Sequence, residues 1–219
     1  MQKMTLGLPQ GSLQGKTMEL MALAGYPLEP LAARCYRPRF AEECDFTPFL
    51  LRPQDIPTYV QSGQLDLALT GNDCLAESGC RASILAEFIY AKAGAHSSRW
   101  VLSVHESSAA QRPADLANAV IATEVPSIAT QYFARQGLFP EIVYSHGASE
   151  GLVPHFADAV VDLAESGSTQ RINRLRQVCT VFENTVLLIG NEDALYPHGN
   201  RAIVAPFVHK LKEALVRLA

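Results

Sequence analysis

Short apolar runs alternate with amphipathic stretches along almost the whole chain, and turn-forming Gly and Pro residues separate them. The apolar runs predict strands at Thr5–Leu8, Phe46–Leu51, Leu65–Leu69, Ser83–Tyr90, Trp100–His105, Val120–Thr123, Glu141–Tyr144, Ala159–Leu163, Val178–Phe182 and Val186–Ile189. The stretches between them predict helices at Ser12–Ala24, Pro53–Gln61, Asn72–Glu77, Ser127–Gln136, Thr169–Arg176 and within the tail from Ile203 to Leu218. This alternation predicts an α/β fold with a largely parallel sheet.

Helix boundaries follow from local chemistry. Ser12 is expected to cap the first helix, and Gly25, Gly63 and Gly137 stand just after predicted helix ends. The tail carries one apolar stripe that should face a core: Val204, Phe207, Val208, Leu211, Leu215 and Leu218.

Composition narrows the function classes. The chain has 219 residues, 48% of them hydrophobic, and a net charge of −4, so a disordered chain and a basic nucleic-acid surface are both excluded. Its apolar runs are too short to span a bilayer, and no long apolar segment follows Lys3, so a cytoplasmic protein is expected. Five scattered cysteines without a C-x-x-C pair indicate free thiols, with neither a disulfide framework nor a structural zinc.

The chain is expected to form two lobes. The small, polar stretch 91–98 is a candidate crossover, and the chain would return near Glu183–Asn184. The expected division is 1–93 plus 184–219 for lobe I and 94–183 for lobe II. Two crossings would leave a ligand cleft between the lobes.

The segment 159–169 combines an apolar strand, two carboxylates, a small-residue loop and a helix start. Gly167 lets backbone N–H groups approach a phosphate, and the helix start adds its positive end. Each charge-assisted hydrogen bond of this kind contributes about 1.5–3 kcal/mol. Asp162 and Glu165 would repel a phosphate, but they can accept hydrogen bonds from sugar hydroxyls or hold water around Mg²⁺. The segment indicates a phosphorylated sugar; the alternative is an ordinary strand–turn–helix joint.

From Asp162 to Thr169 (DLAESGST), the chain resembles the phosphoribosyl-diphosphate loop of the ATP phosphoribosyltransferase family, which catalyses the first step of histidine biosynthesis. Other blocks resemble the family in the same order, so the likeness covers most of the chain. They are Leu8–Leu13 (LPQGSL), Arg52–Val60 (RPQDIPTYV), Asp66–Asp73 (DLALTGND) and Ile121–Pro126 (IATEVP) with Tyr132-Phe133.

The resemblance implies a two-lobed fold related to periplasmic binding proteins and transfer of phosphoribosyl to N1 of ATP, with Mg²⁺ and release of pyrophosphate. Asp162 and Glu165 would face the ribose hydroxyls, and Ser166, Gly167, Ser168 and Thr169 would hold the 5′-phosphate. The acceptor side would be formed by Gln10, Gly11, Ser12, Arg52, Thr70, Gly71, Asp73, Ser149 and Glu150. No nucleophile, base or direct metal ligand is assigned, because positioning and electrostatics can supply most of the rate.

The resemblance also implies partners. The length is that of the family's short form, which lacks a C-terminal regulatory domain and works with a separate regulatory subunit that resembles histidyl-tRNA synthetase. A homodimer is expected as well. Neither a nucleic acid nor a membrane is expected as a partner.

The chain departs from the family pattern at Gln10, Ser12 and Glu124, where the family usually carries basic residues. Polyphosphates need cationic partners. The departures therefore leave open a paralogue with another acceptor or without catalysis.

Two rival interpretations come from other motifs. Gly147–Gly151 matches G-x-S-x-G after a strand, the context of a hydrolase nucleophile at Ser149. Its partners would be Asp162 or Asp193, then His198 or His209. The third interpretation is a non-catalytic anion- or solute-binding protein, in which the strand end at Thr70-Gly71 holds an anion and Asp73 only favours a helix start.

Overall fold

The computed structural model describes residues 3–29, 35, 37–90, 98–164, 168–195 and 198–218. The chain divides into two compact units. Unit 1 comprises Met1–His96 and Thr185–Ala219, and unit 2 comprises Ser97–Asn184. The predicted crossover at 91–98 lies outside the described residues except for Ser98.

The elements follow the predicted alternation. The strands are β1 (Met4–Pro9), β2 (Phe46–Leu51), β3 (Leu67–Gly71), β4 (Ser83–Phe88), β5 (Ser98–His105), β6 (Val120–Thr123), β7 (Glu141–Tyr144), β8 (Ala159–Ala164), β9 (Leu175–Asn184) and β10 (Val186–Gly190). The α-helices are α1 (Gln14–Leu23), α2 (Ile56–Gln61), α3 (Asn72–Ser78), α4 (Pro126–Ala134), α5 (Ser168–Ile172), α6 (Glu192–Leu195) and α7 (His198–Leu218). Short 3₁₀-helices span Gly11–Leu13, Pro113–Leu116 and Ser149–Leu152. The α/β class is confirmed.

Each unit is built on a five-stranded sheet with the same arrangement. The strand order is β2-β1-β3-β10-β4 in unit 1 and β7-β6-β8-β5-β9 in unit 2. Three adjacent strands are parallel in each sheet: β2, β1 and β3 in one, and β7, β6 and β8 in the other. Their carboxyl ends therefore meet at one edge, where open α/β sheets bind ligands.

The prediction of largely parallel sheets is wrong for the remaining strands. In unit 1, β10 runs antiparallel to both β3 and β4. In unit 2, β5 runs antiparallel to both β8 and β9. Strand direction here depends on the path of the chain, which local hydrophobicity does not encode.

Helix α7 closes the core of unit 1, as its apolar stripe predicts. Val204, Phe207, Leu211 and Leu218 are buried, and Val208 and Leu215 pack against the same cluster. The Phe207 ring lies 4.6 Å from the ring of Phe46 and 5.1 Å from that of Tyr26, measured between centroids. Among the described residues, no helix has both the length and the apolar character needed to cross a bilayer.

Two local predictions are wrong. Ser12 does not cap α1; it lies in the 3₁₀-helix Gly11–Leu13, and α1 begins at Gln14 without a side-chain cap. The helix predicted at Thr169–Arg176 ends at Ile172, and β9 begins at Leu175. The reason is tertiary, because the Arg176 guanidinium donates to the carbonyl oxygens of Ser108 and Ala110, at 3.2 and 2.6 Å.

Gly7 allows the close approach of β1 and β3. It pairs with Ala68, and an added Cβ would lie 2.8 Å from Leu65 Cδ1 and 2.9 Å from Ala68 Cβ. Gly7→Val is therefore expected to lower the free energy of unfolding by about 1–3 kcal/mol, as overpacked cores do, measured by urea denaturation. Gly15→Ala, in α1 with open space around it, is the control and should raise stability by up to about 1 kcal/mol. Equal stability of Gly7→Val and the wild type would contradict the close approach.

Candidate functional site

In unit 2 the candidate site lies where β6, β7 and β8 end. Asp162 occupies the second half of β8 and is half-buried. Its Oδ1 accepts a hydrogen bond from the Leu163 backbone N–H at 2.8 Å, which fixes one carboxylate oxygen. The other side of β8 pairs with β6, which ends at Thr123, directly before Glu124. Two acidic side chains thus lie near the carboxyl ends of neighbouring parallel strands.

A sharp turn after β7 brings a third carboxylate to the same edge. Gly147 has φ = 107° and Ala148 has φ = 51°, a left-handed conformation that a side chain disfavours. The turn leads into the 3₁₀-helix Ser149–Leu152, whose Glu150 contributes to the raised pKa of Asp162. Gly147 sits close to Glu124, because a Cβ there would lie 3.7 Å from Glu124 Oε1.

These contacts change the acidity of Asp162. Burial is the main cause, followed by the hydrogen bond and the negative charge of Glu150, and the Glu124 carboxylate adds a smaller effect. Together they raise the pKa of Asp162 to about 7, although the Leu163 N–H acts in the opposite direction. The arrangement is an anionic site that favours a proton, a cation or hydrogen-bond donors from a ligand.

The small-residue loop is described in part. Glu165, Ser166 and Gly167 lie outside the described residues, while Ser168 and Thr169 begin α5. Helix α5 is held against the sheet, since Gln170 Nε2 donates to Ser103 Oγ on β5 at 3.3 Å. The backbone therefore places the start of α5 a few residues beyond Asp162.

In unit 1 the predicted acceptor residues follow the ends of β1, β2 and β3. Gln10, Gly11 and Ser12 come after β1, and Arg52 comes after β2. Thr70 and Gly71 end β3, and Asp73 lies in the first turn of α3. The structure thus places all of these segments at the carboxyl-terminal edge of the parallel strands in unit 1.

Several of these side chains have structural contacts. The buried Thr70 Oγ1 donates to the Pro53 carbonyl oxygen at 2.9 Å, and the buried Asp73 Oδ1 accepts from the Cys74 N–H at 2.8 Å. Gln10 Nε2 donates to the Leu50 carbonyl oxygen at 3.4 Å. Ser12 and Arg52 are exposed.

Ser149 does not have the environment of a hydrolase nucleophile. Its side chain is 1% exposed, and its Oγ has no hydrogen-bond partner among the described residues. An attacking serine needs a base within hydrogen-bond reach. His209, one of the candidate partners, lies on α7 of unit 1, with its Nε2 3.3 Å from Glu213 Oε1. The hydrolase interpretation is not favoured.

Sequence reasoning missed Glu124 as a member of this site. Glu124 departs from the family pattern, and it directly follows β6 at the edge of the sheet where β8 carries Asp162 near its end. Its position in the sequence was a usable signal, because a carboxylate directly after a buried strand of a parallel sheet lies at the ligand-binding edge.

Comparison with solved structures defines the class of fold. A periplasmic sulfonate-binding protein SsuA from Methylobacillus flagellatus matches with a TM-score of 0.61 at 15% identity, over 96% of this chain and 67% of its own. The fold is therefore the two-lobed α/β fold found in periplasmic binding proteins. The ATP phosphoribosyl transferase (HisG:HisZ) complex from Thermotoga maritima matches more closely, with a TM-score of 0.79 at 25% identity, over 98% of this chain and 99% of that one.

Sequence comparison identifies the family. The ATP phosphoribosyltransferase family model matches residues 52–213. An ATP phosphoribosyltransferase from Chlorobium phaeobacteroides is 41% identical over 187 residues, which is 85% of this chain and 63% of the relative. The chain belongs to the ATP phosphoribosyltransferase family. It spans just under two thirds of the length of that relative.

Proposed function

We propose that the protein transfers phosphoribosyl from phosphoribosyl diphosphate to N1 of ATP and releases pyrophosphate, the first step of histidine biosynthesis. The observation that carries the proposal is Asp162 on the strand that leads into the small-residue segment and the start of α5. This order of strand, acid, loop and helix suits a ribose phosphate, and family membership supports the reaction.

The donor would bind to unit 2. Asp162 and Glu165 accept hydrogen bonds from the ribose hydroxyls, and Ser166, Gly167, Ser168 and Thr169 hold the 5′-phosphate. Backbone N–H groups are the natural donors in such a loop, because they carry no charge that must be neutralised elsewhere.

The acceptor side would use the segments at the ends of β1, β2 and β3, together with the turn after β7. The residues proposed are Gln10, Gly11, Ser12, Arg52, Thr70, Gly71, Asp73, Ser149 and Glu150. Since Thr70 and Asp73 are buried, and the Thr70 hydroxyl and one Asp73 oxygen have partners within unit 1, both residues would act by fixing the end of β3. Arg52 offers an exposed guanidinium for the triphosphate.

The reaction breaks the bond from C1′ to the pyrophosphate oxygen and forms the bond from N1 to C1′. Positive charge develops on the sugar as the leaving group departs, and the carboxylates near Asp162 are of the sign that stabilises it. No covalent nucleophile is needed. The chain's contribution is to align the two substrates and to exclude water from the sugar carbon.

Mg²⁺ would enter this site bound to the diphosphate of the substrate. Among the described residues, no cluster of three or more His, Cys, Asp or Glu side chains is arranged to hold a metal ion. The anionic surroundings of Asp162 are nevertheless suited to a cation. A Mg²⁺ ion bound mainly by the diphosphate and by water meets both conditions, and it supplies neutralisation of the leaving pyrophosphate.

The proposal extends to lobes, partners and location. Residues 1–93 with 184–219 form the acceptor lobe, and 94–183 form the donor lobe. A homodimer is part of the proposal, as is a separate regulatory subunit of the histidyl-tRNA-synthetase type. The HisG:HisZ complex from Thermotoga maritima supports a second subunit of some kind. A cytoplasmic location is proposed for a biosynthetic enzyme of this class.

The proposed function is tested by mixing the purified chain with phosphoribosyl diphosphate, Mg²⁺ and ATP. The expected result is stoichiometric release of pyrophosphate together with the ultraviolet absorbance of an N1-substituted adenine. The same mixture is run with other nucleobases and nucleotides as acceptors, and with and without a regulatory subunit. Pyrophosphate release with another base but not with ATP would show that this base, and not ATP, is the acceptor. Binding of phosphoribosyl diphosphate without release under every condition would indicate a non-catalytic protein.

A further inference from the structure

Strand β3 passes into helix α3 without an intervening loop, and one side chain completes the hydrogen bonding at this point. Asn72 is the first residue of α3 and directly follows Gly71, the last residue of β3. Gly71 pairs with Val186 of β10, which runs antiparallel to β3. Asn72 and Thr185 are therefore the next pair along these two chain segments. The Asn72 N–H donates to the Thr185 carbonyl oxygen at 2.9 Å, and the Thr185 N–H donates to Asn72 Oδ1 at 2.9 Å.

The asparagine side chain supplies an acceptor that the backbone no longer offers. In a hydrogen-bonded antiparallel pair, each residue donates its N–H to the carbonyl oxygen of the other. As the first residue of a helix, Asn72 directs its own carbonyl oxygen along α3. Its side-chain Oδ1 takes the place of that oxygen and accepts the partly buried Thr185 N–H. An aliphatic side chain at position 72 would leave this N–H without its acceptor.

Thr185 is also held from a second strand. It directly precedes β10, and it is the residue at which the chain re-enters unit 1 after unit 2. Its Oγ1 donates to Glu87 Oε1 on β4 at 2.6 Å. Asn72 is thus bonded to a residue that β4 fixes in turn. We call the three residues Asn72, Thr185 and Glu87 the Asn72 clamp.

The Asn72 clamp lies next to the contacts that place Arg52. Arg52 follows β2 and is exposed, and the next residue, Pro53, accepts a hydrogen bond from Thr70 Oγ1 at 2.9 Å. Thr70 and Gly71 end β3, and Asn72 follows directly. Fixing Asn72 therefore fixes the end of β3, and with it the turn from which the Arg52 guanidinium extends.

We propose that Asn72 is a positioning residue for the acceptor, which it serves by holding the end of β3 against Thr185 so that Arg52 is aligned with the triphosphate. This inference rests on the proposed function, because it takes ATP as the ligand of Arg52. Asn72 acts through the backbone of the strand end and does not touch the reacting atoms. On the proposed function the donor binds to unit 2, so the Asn72 clamp has no part in the affinity for phosphoribosyl diphosphate.

The two substrates distinguish this role from a purely structural one. The dissociation constants of ATP and of phosphoribosyl diphosphate, each with Mg²⁺, are measured by calorimetric titration. Asn72→Ala should weaken ATP binding by roughly tenfold, because a displaced guanidinium loses its alignment with the phosphates. The constant for phosphoribosyl diphosphate should stay at the wild-type value, and KM should show the same split. Equal changes for both substrates, or no change for either, would overturn the proposal.

Asn191→Ala is the matched control, because Asn191 follows the opposite end of β10 and also makes two side-chain hydrogen bonds to backbone groups. Its Nδ2 donates to the Val60 carbonyl oxygen at 2.9 Å, and its Oδ1 accepts from the Ala194 N–H at 3.0 Å. Asn191→Ala should lower the melting temperature as Asn72→Ala does, but both dissociation constants should match the wild type. Weaker ATP binding in Asn191→Ala as well would show that ATP affinity follows stability and not the Asn72 clamp.

A milder variant keeps the test valid if Asn72→Ala folds poorly. Thr185→Val removes only the hydroxyl that donates to Glu87 and keeps the shape of the side chain. It should weaken ATP binding by less than Asn72→Ala does and leave the binding of phosphoribosyl diphosphate unchanged. An effect on phosphoribosyl diphosphate alone would contradict the assignment of the Asn72 clamp to the acceptor.

Hydrogen exchange of the Thr185 amide, followed by NMR, needs no ligand. The exchange should be slow in the wild type and in Asn191→Ala, and faster in Asn72→Ala. Fast exchange in the wild type would overturn the Asn72 clamp itself. If the exchange is slow but the wild type binds no ATP, the proposed function and the role of Asn72 toward the acceptor are both overturned, whereas the hydrogen bond stands.

Discussion

Asp162→Asn is expected to lower kcat/KM for phosphoribosyl diphosphate by roughly a hundredfold and, at alkaline pH, to make the protein more stable. The loss follows from the proposed contact with the ribose hydroxyls, because hydrogen bonds to a charged group contribute about 1.5–3 kcal/mol each. An asparagine has no charge, and its NH₂ group would face one of the hydroxyl donors. Steady-state kinetics of pyrophosphate release measures this part.

The gain in stability follows from the raised pKa of Asp162, which is about 7 in the folded protein against about 4 for an ordinary aspartate. The folded state thus binds the proton more tightly than the unfolded state does. Stability therefore declines as the pH rises from about 4 to about 7 and stays at the lower level above that. Asparagine removes this loss, so the melting temperature of Asp162→Asn should exceed that of the wild type at pH of about 8 and approach it at pH of about 4.

Asp45→Asn provides the comparison, since Asp45 is an exposed residue ahead of β2 in unit 1. Its kinetics and the pH dependence of its melting temperature should follow the wild type. If Asp162→Asn were less stable than the wild type at alkaline pH, the unfavourable charge at Asp162 would be refuted. If it kept full activity, Asp162 would have no part in binding the sugar.

Phe207→Ala is expected to lower the free energy of unfolding of the chain by about 3–5 kcal/mol. Phe207 is fully buried, and its ring contacts those of Tyr26 and Phe46, so that it joins α7 to the loop after α1 and to β2. Removing the ring leaves a cavity among rigid neighbours that cannot collapse to fill it. Urea denaturation followed by circular dichroism measures the change.

Val216→Ala is the control on the same helix, because Val216 is 81% exposed and should change stability by less than about 0.5 kcal/mol. A loss below about 1 kcal/mol for Phe207→Ala would show that α7 is not an integral part of the core of unit 1.

Hydrophobic periodicity predicted the elements that are buried on two sides or along one stripe. Strand β2 agrees with its prediction at both ends, and the stripe of α7 faces the core as expected. These features depend on the residues within one element, and such information is local. The wrong elements depend on distant contacts: β9 begins at Leu175 because Arg176 is anchored to the carbonyl oxygens of Ser108 and Ala110, far away in sequence.

The sequence was enough to predict where the candidate site lies and which class of ligand it suits, but not how its side chains affect one another. The acids and small residues after β8 indicated a sugar phosphate, and their place at the end of a strand followed from the α/β pattern. The effect of Glu150 on the pKa of Asp162 was not predictable, because Glu150 follows a left-handed backbone at Ala148, a residue type that gives no signal of such a turn. Raised pKa values of carboxyl groups come from such tertiary interactions and from burial.

The repeated strand order in the two sheets has a consequence for how specificity can change. Each half of the molecule has its own set of three loops at the ends of parallel strands, and the two sets are attached to different scaffolds. On the proposed function, one set recognises the donor and the other contributes most of the acceptor contacts. Substitutions at Gln10, Ser12 and their neighbours can therefore change which acceptor binds without disturbing the unit that holds phosphoribosyl diphosphate. Recognition of the two reactants is in this sense modular, and each module can evolve at its own pace.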